Sequence, residues 1–264
     1  MDLHGDPAAR AIMLRPAARP GFVPAPLHHA LPAAPCETCG VRRLCLPGGL
    51  DERSKPSLDA LLIGRKRLRK GQKLYRTGDA FNFLYAVRAG TFKATLPRGD
   101  GGEHVTAFHL PGDIMGFDGM ADGRYRTTAC SLESAEACPI SFAQLMDACA
   151  ASPELRKRVA QLMGGQLVRE YRTTQLVARH LSESRVAGFL LLVSGWMRER
   201  GYSAREFHLR MSRAEIGSYL GTSLETVSRA LSLFARQGCI TVHSRRIELV
   251  DPEGLRAFES GEHA

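Results

Sequence analysis

The 264-residue sequence predicts an α+β fold in three parts: an N-terminal β-roll, a long helix and a C-terminal winged helix-turn-helix. Three observations predict it. Between about Leu58 and Phe142, short apolar runs are broken by Gly-containing turns. From Pro153 to Leu181, apolar side chains recur at helical spacing. From Ser212 to Leu231, two short amphipathic segments meet at a glycine. With 44% hydrophobic and 24% charged residues, the composition supports buried cores and excludes a wholly disordered or collagen-like chain. No run of 18 apolar residues predicts a membrane span. Met1 to Leu14 lack the apolar stretch of a secretory signal, so the expected location is the cytoplasm, with no membrane partner.

Residues 1–35 hold seven of the 14 Pro and nine Ala without hydrophobic period, which reads as a flexible leader. A cysteine loop at 36–50 follows. The roll is expected over 51–150. Its apolar runs are Lys73–Tyr75, Phe83–Val87, Thr91–Leu96 and His104–Leu110, and its turns fall at Gly71, Gly78, Gly90 and Pro111-Gly112. Gly99-Asp100-Gly101-Gly102 reads as a hairpin tip. Seven Lys or Arg with no acid between Arg65 and Arg76 read as a solvated strand edge.

The long helix is expected over 151–182, with Ser152 as N-cap and Pro153 at the first helical position. Continued to Leu181 it would be roughly 45 Å long, a length that calls for a second copy to pack against. Glu170 lies among apolar neighbours on it and is the candidate dimer switch, since like charges brought together across a dimer oppose association.

Residues 183–264 complete the chain with a helix over Ser184–Arg200 and then the paired motif. Ser212 and Glu215 have capping-box spacing, Ile216 and Leu220 face inward, and Gly221 ends the first helix in the left-handed conformation. Thr222 or Ser223 starts the second helix, with Val227, Leu231 and Phe234 inward. That leaves Glu225, Thr226, Ser228 and Arg229 outward near its N-terminus, where docked helix-turn-helix proteins read base edges. Arg bonds guanine O6 and N7, and Glu accepts from cytosine N4. Gly238 to Val250 alternates like a hairpin, with Arg245 and Arg246 at the tip of a wing. Between Trp196 and Arg246, nine Arg stand against four Glu, so five of the net nine positive charges lie around this motif. Double-stranded DNA is the expected partner.

The cysteines have a pattern of their own. Cys36, Cys39 and Cys45 form C-x2-C-x5-C, and in a reducing compartment such spacing favours metal over disulfide. A structural zinc site generally uses two C-x2-C pairs, whereas iron–sulfur clusters accept uneven spacing and a distant fourth ligand. Spacing leaves that fourth ligand open among Cys130, Cys138, Cys149 and Cys239, with His28 and His29 of the leader as further candidates, while Cys239, within the DNA-binding unit, reads better as a small buried hydrophobe.

Taken together, these stretches resemble the FNR branch of the CRP/FNR superfamily over roughly residues 36–250. The resemblance rests on the cysteine loop with Leu44-Cys45-Leu46-Pro47, on Lys70-Gly71-Gln72 and Ala89-Gly90-Thr91, on Phe108 to Asp113 with Gly116-Phe117-Asp118, and on Leu224 to Arg229. It implies that the roll is a cyclic-nucleotide-binding-like jelly roll. It implies an oxygen-labile 4Fe-4S cluster with Cys138 as fourth ligand beside Cys36, Cys39 and Cys45. It implies a homodimer whose Glu225, Ser228 and Arg229 contact a palindromic promoter site with TTGAT-like half-sites, with RNA polymerase as a further partner. The expected role is activation or repression of genes of anaerobic metabolism, and no enzymatic activity is expected. Nucleotide-binding relatives carry a phosphate cassette with a Glu and an Arg-Ser pair. Here Gly116-Phe117-Asp118 and Arg126-Thr127-Thr128 stand in those places, so nucleotide sensing is not expected.

Overall fold

The short Gly-bounded runs pair into two antiparallel sheets that face each other as a roll. The computed structural model describes residues 36–50 and 61–262; the leader read at 1–35 lies outside the described residues. The strands of the roll are β1 (Lys66–Leu68), β2 (Lys73–Tyr75), β3 (Phe83–Ala89), β4 (Phe92–Pro97), β5 (Glu103–His109), β6 (Ile114–Met115), β7 (Thr128–Ser131) and β8 (Ala135–Ser141). One sheet has the order β1-β8-β3-β6 and the other β2-β7-β4-β5. Leu84, Phe92, Met115 and Ile140 are almost fully buried in the core cluster of the roll.

The four runs read from sequence are β2 to β5, and the Gly99–Gly102 tip closes the β4–β5 hairpin through Arg98 N–H donating to Gly102 O at 2.8 Å. The basic run contains β1, the edge of its sheet, where Arg65, Arg67 and Arg88 gather around Glu136 at 3.6, 2.8 and 3.5 Å. Strands β7 and β8 escaped the sequence reading. All four residues of β7 are buried, which erases alternation, and β8 consists largely of small residues with Pro139 inside.

Helix α1 (Phe142–Ala151) leads into α2 (Pro153–Val177), where the Ser152 hydroxyl accepts from Leu155 N–H at 3.2 Å. At 1.5 Å per residue α2 spans about 37 Å. The helix stops short of Leu181, where the apolar pattern would carry it, because Leu181 is extended and begins the next helix, α3 (Ser182–Glu199). Leu155, Val159 and Leu176 are buried on α2, while Met163, Leu167, Val168 and Tyr171 are exposed.

Beyond α3 come β9 (Glu206–His208), α4 (Arg213–Leu220), α5 (Leu224–Arg236), β10 (Ile240–His243), β11 (Arg246–Leu249) and α6 (Pro252–Ser260). The last three strands form a sheet ordered β10-β11-β9. Phe189, Ile216, Leu220 and Phe234 fill a second core, to which the roll contributes Val105, Phe108, Leu110 and Leu132. The Phe108 ring lies 5.1 Å from that of Tyr219 and 6.2 Å from that of Phe189, so β5 is packed directly on the C-terminal unit. Among the described residues, no helix is long and apolar enough to cross a membrane.

Candidate nucleic-acid interface and cysteine site

The helix-turn-helix is fixed by its caps. Ser212 Oγ accepts from Glu215 N–H at 3.2 Å, and Ser212 N–H donates to Glu215 Oε2 at 2.7 Å. This reciprocal pair satisfies two otherwise unmatched donors at the start of α4. Gly221 takes φ +63 and stops α4, after which Ser223 caps α5 by accepting from Thr226 N–H at 3.1 Å. Val227, Leu231 and Phe234 are buried, so the period of 3.6 turns the other side of α5 outward.

There Glu225 and Arg229 are exposed, and Thr226 and Ser228 are half-buried. Arg229 Nη2 donates to Thr226 Oγ1 at 3.4 Å, and Arg213 of α4 donates to Ser228 Oγ at 3.2 Å. The Glu225 carboxyl is held below the usual carboxylate range by its own backbone N–H, then by the Ser223 hydroxyl and the Arg229 charge. It is therefore an ionised acceptor at the helix N-terminus, where the dipole favours it. In the wing, Ser244 takes φ +59 at the turn, Arg245 Nη1 donates to Arg210 O at 3.1 Å, and Arg246 pairs with Glu206 at 2.9 Å.

The cysteine loop is a run of tight turns. Cys39 N–H donates to Cys36 O and Cys45 N–H to Val41 O, both at 3.1 Å, and Gly48 N–H to Cys45 O at 3.0 Å. The loop lies over the sheet containing β3 and β8. Cys138 of β8 is paired with Ala86, and it points away from the roll interior that takes Ala135 and Ala137. Cys36, Cys39, Cys45 and Cys138 thus border one pocket, together with Leu46, Pro47, Val87 and Ile140. Burial pushes the Cys45 thiol up to about 12, with Cys138 and Cys39 near enough to add to the shift, and burial pushes Cys138 up to about 11. Cys130, Cys149 and Cys239 are buried elsewhere, with their thiols also raised by burial. Among the described residues, no three His, Cys, Asp or Glu side chains converge as a single metal ion requires.

One contact of this loop had no sequence signal. Arg158 of α2 donates through Nη2 to Leu44 O at 3.0 Å and Cys45 O at 2.7 Å, tying the loop to the long helix. Spacing along α2 marks Arg158 only as another charged residue.

Glu170 is exposed on α2 and accepts from Gln166 Nε2 at 2.7 Å. It borders a second cavity of about 400 Å³ between the roll and α2, also lined by Tyr75, His109, Asp118, Thr127 and Leu167. There Asp118 Oδ2 accepts from Arg126 N–H at 2.9 Å, Thr127 N–H at 2.8 Å and Thr127 Oγ1 at 2.9 Å. A resident carboxylate thus holds the donors that an anionic ligand would need.

A β-roll packed on a winged helix-turn-helix through a long helix defines the class: a DNA-binding transcription regulator whose sensor part is a cyclic-nucleotide-binding fold. Residues 65–152 match the cyclic nucleotide-binding domain, and residues 184–258 match the Crp-like helix-turn-helix domain. The chain is 37% identical to the Anaerobic regulatory protein of Haemophilus influenzae, over 83% of this chain and 86% of that protein. It is 36% identical to the Fumarate and nitrate reduction regulatory protein of Escherichia coli strain K12, over 83% and 88% respectively. The solved structure of FixK2 from Bradyrhizobium japonicum superposes with a TM-score of 0.66 at 29% identity, covering 74% of this chain and 96% of that one. The chain belongs to the CRP/FNR family and is an FNR-like transcriptional regulator; its relatives are regulators rather than enzymes.

Proposed function

We propose that the protein is an oxygen-sensing regulator of anaerobic-metabolism genes, acting in the cytoplasm as a homodimer on a palindromic promoter site. Cys36, Cys39, Cys45 and Cys138 are the ligands of a 4Fe-4S cluster. The observation that carries this reading is that four thiols from two distant segments border one pocket, while the other three lie elsewhere. The donor set fits such a cluster in its chemistry: four thiols border one pocket, three from a short loop and one from a distant strand, and iron–sulfur clusters accept such uneven spacing. The relatives' names, anaerobic regulatory and fumarate and nitrate reduction regulatory protein, point the same way.

When bound, the cluster supplies an oxygen-labile group that crosslinks the loop to β8. The chain's own residues do the rest. The Cys45 and Cys138 thiols must each give up a proton to become ligands, so loading releases protons and weakens as pH falls. Arg158 holds the loop carbonyls against α2. Met163, Leu167, Val168 and Tyr171 form the exposed apolar stripe on which a second copy packs. Glu170, on the flank of that stripe, is the charge that keeps the pairing marginal. In the dimer, two α5 helices reach half-sites about one helical turn apart. Glu225, Thr226, Ser228 and Arg229 read the bases, and RNA polymerase is recruited or blocked at the bound promoter. The segments act as a loop (36–50), a sensor roll (51–150), a dimerisation helix (151–182) and a DNA-binding domain (183–264).

The test is fluorescence anisotropy on a duplex with two TTGAT-like half-sites. Protein prepared without oxygen should bind at least tenfold more tightly than the same protein after air exposure. Equal affinity before and after air would remove oxygen sensing from the account.

A further inference from the structure

The regulatory reading needs a physical link from the thiol pocket to the helices that hold DNA, and the contacts converge on one carboxylate. Asp113 lies in the turn between β5 and β6, and its side chain is 8% exposed. Oδ2 accepts from Leu110 N–H at 2.8 Å, which fixes the turn. Oδ1 accepts from Arg169 Nη1 of α2 at 3.1 Å and from Arg200 Nη2, at the end of α3, at 2.8 Å. The Arg200 side chain is only 5% exposed; its Nε donates to Pro111 O at 2.9 Å and its Nη1 to Trp196 O at 3.0 Å. One acid of the roll thus pairs at once with a cation on the long helix and another at the end of the first helix of the C-terminal unit.

The same turn is gripped from the pocket side. Val87 N–H donates to Asp113 O, and Gly112 N–H donates to Val87 O, both at 2.8 Å. Val87 borders the thiol pocket, and its neighbour Ala86 pairs with Cys138. On the other side Leu44 is pressed against Gly112, where a Cβ would fall 2.6 Å from Leu44 Cβ and where φ is +97. A movement of the cysteine loop or of β3 therefore meets this turn without slack. The Arg200 guanidinium, withdrawn from Asp113, would be left buried without its counter-charge, a costly state, whereas the half-exposed Arg169 can turn to water.

We propose that Asp113 is the coupling residue between the thiol pocket and the DNA-binding domain, acting through Arg200 on the recognition unit and through Arg169 on the dimerisation helix. The inference rests on the regulatory reading above and adds to it the residues that transmit the signal. Asp113 touches neither the thiols nor DNA; it is a positioning residue.

The experiment measures the ratio of operator affinity between cluster-loaded and cluster-free protein, with dimer fraction by sedimentation, for wild type, Asp113→Asn, Arg200→Met, Arg200→Lys and Arg169→Met. Asp113→Asn and Arg200→Met should lower the ratio at least tenfold, with iron and sulfide content and visible spectrum unchanged. Arg200→Lys, which keeps the charge, should restore most of it. Arg169→Met should weaken the dependence of dimerisation on loading. Should Asp113→Asn fail to fold, Arg200→Met carries the test alone. A wild-type ratio in loaded Arg200→Met protein overturns this inference and leaves the regulatory reading standing. A wild-type protein with no dependence on loading overturns that reading first, and this inference with it.

Discussion

The helix-turn-helix and the cysteine site are built on opposite plans. In the first, everything needed lies within about 25 consecutive residues: caps at Ser212 and Ser223, a left-handed Gly221, and inward Ile216, Leu220, Val227, Leu231 and Phe234. In the second, three thiols lie on a loop of tight turns, and the fourth arrives by strand pairing from residue 138. The first is held by its own local caps, with Glu225 ionised and exposed. The second is desolvated, its Cys45 and Cys138 thiols raised by burial into their neutral forms. A surface that must present fixed groups is served by local order. Under the proposed function, the cysteine site is a switch, and distant segments suit an arrangement completed only when a ligand joins them.

This contrast can be broken experimentally, beginning with the largest effect. Cys138→Ser should erase the air response of DNA binding while the urea midpoint of cluster-free protein stays that of wild type. A large drop in that midpoint would assign Cys138 a structural part instead. Phe234→Ala, at a fully buried position, should cost about 3–5 kcal/mol in urea unfolding and remove DNA binding, with the thiol site still able to load.

His109 sharpens the comparison at the boundary between the regions. Burial pushes its imidazole down to about 4 from an ordinary 6.5, and Asp113 opposes that shift only in part. The folded protein thus holds it neutral, whereas the unfolded chain takes up a proton below about pH 6.5. Stability is present above that pH and is lost as pH falls toward 4, by up to about 3 kcal/mol. Unfolding midpoints measured across pH 4–7 should show this slope in wild type and a flatter one in His109→Gln. The smallest effect is at the interface itself. Arg229→Ala should lower discrimination at one base pair of the half-site by about 1–3 kcal/mol, read from a panel of single-base operator variants. An equal loss on every sequence would assign Arg229 to phosphate instead.

The difference between the regions also explains what the sequence made legible. Capping-box spacing, a stop glycine and i,i+4 apolar positions are local signals, so α4 and α5 could be drawn from the residues alone. Cys36, Cys39 and Cys45 were visible from their spacing, but Cys138 emerged only through a family resemblance, since the Ala86–Cys138 pairing depends on the register of the whole sheet. Strands β7 and β8 hid because buried small residues carry no alternation. The Asp113, Arg169 and Arg200 group was invisible for a related reason: charged residues far apart in the chain carry no mark of meeting until the fold brings them together.

The most direct test of the central claim is iron and acid-labile sulfide analysis on protein purified under strict anoxia, for wild type and for serine variants at each of the seven cysteines. Wild type and the variants at Cys130, Cys149 and Cys239 should hold iron and sulfide in equal amounts, and the variants at Cys36, Cys39, Cys45 and Cys138 should lose both. Stoichiometric zinc in place of iron, or full iron retention in Cys138→Ser, would contradict the central claim.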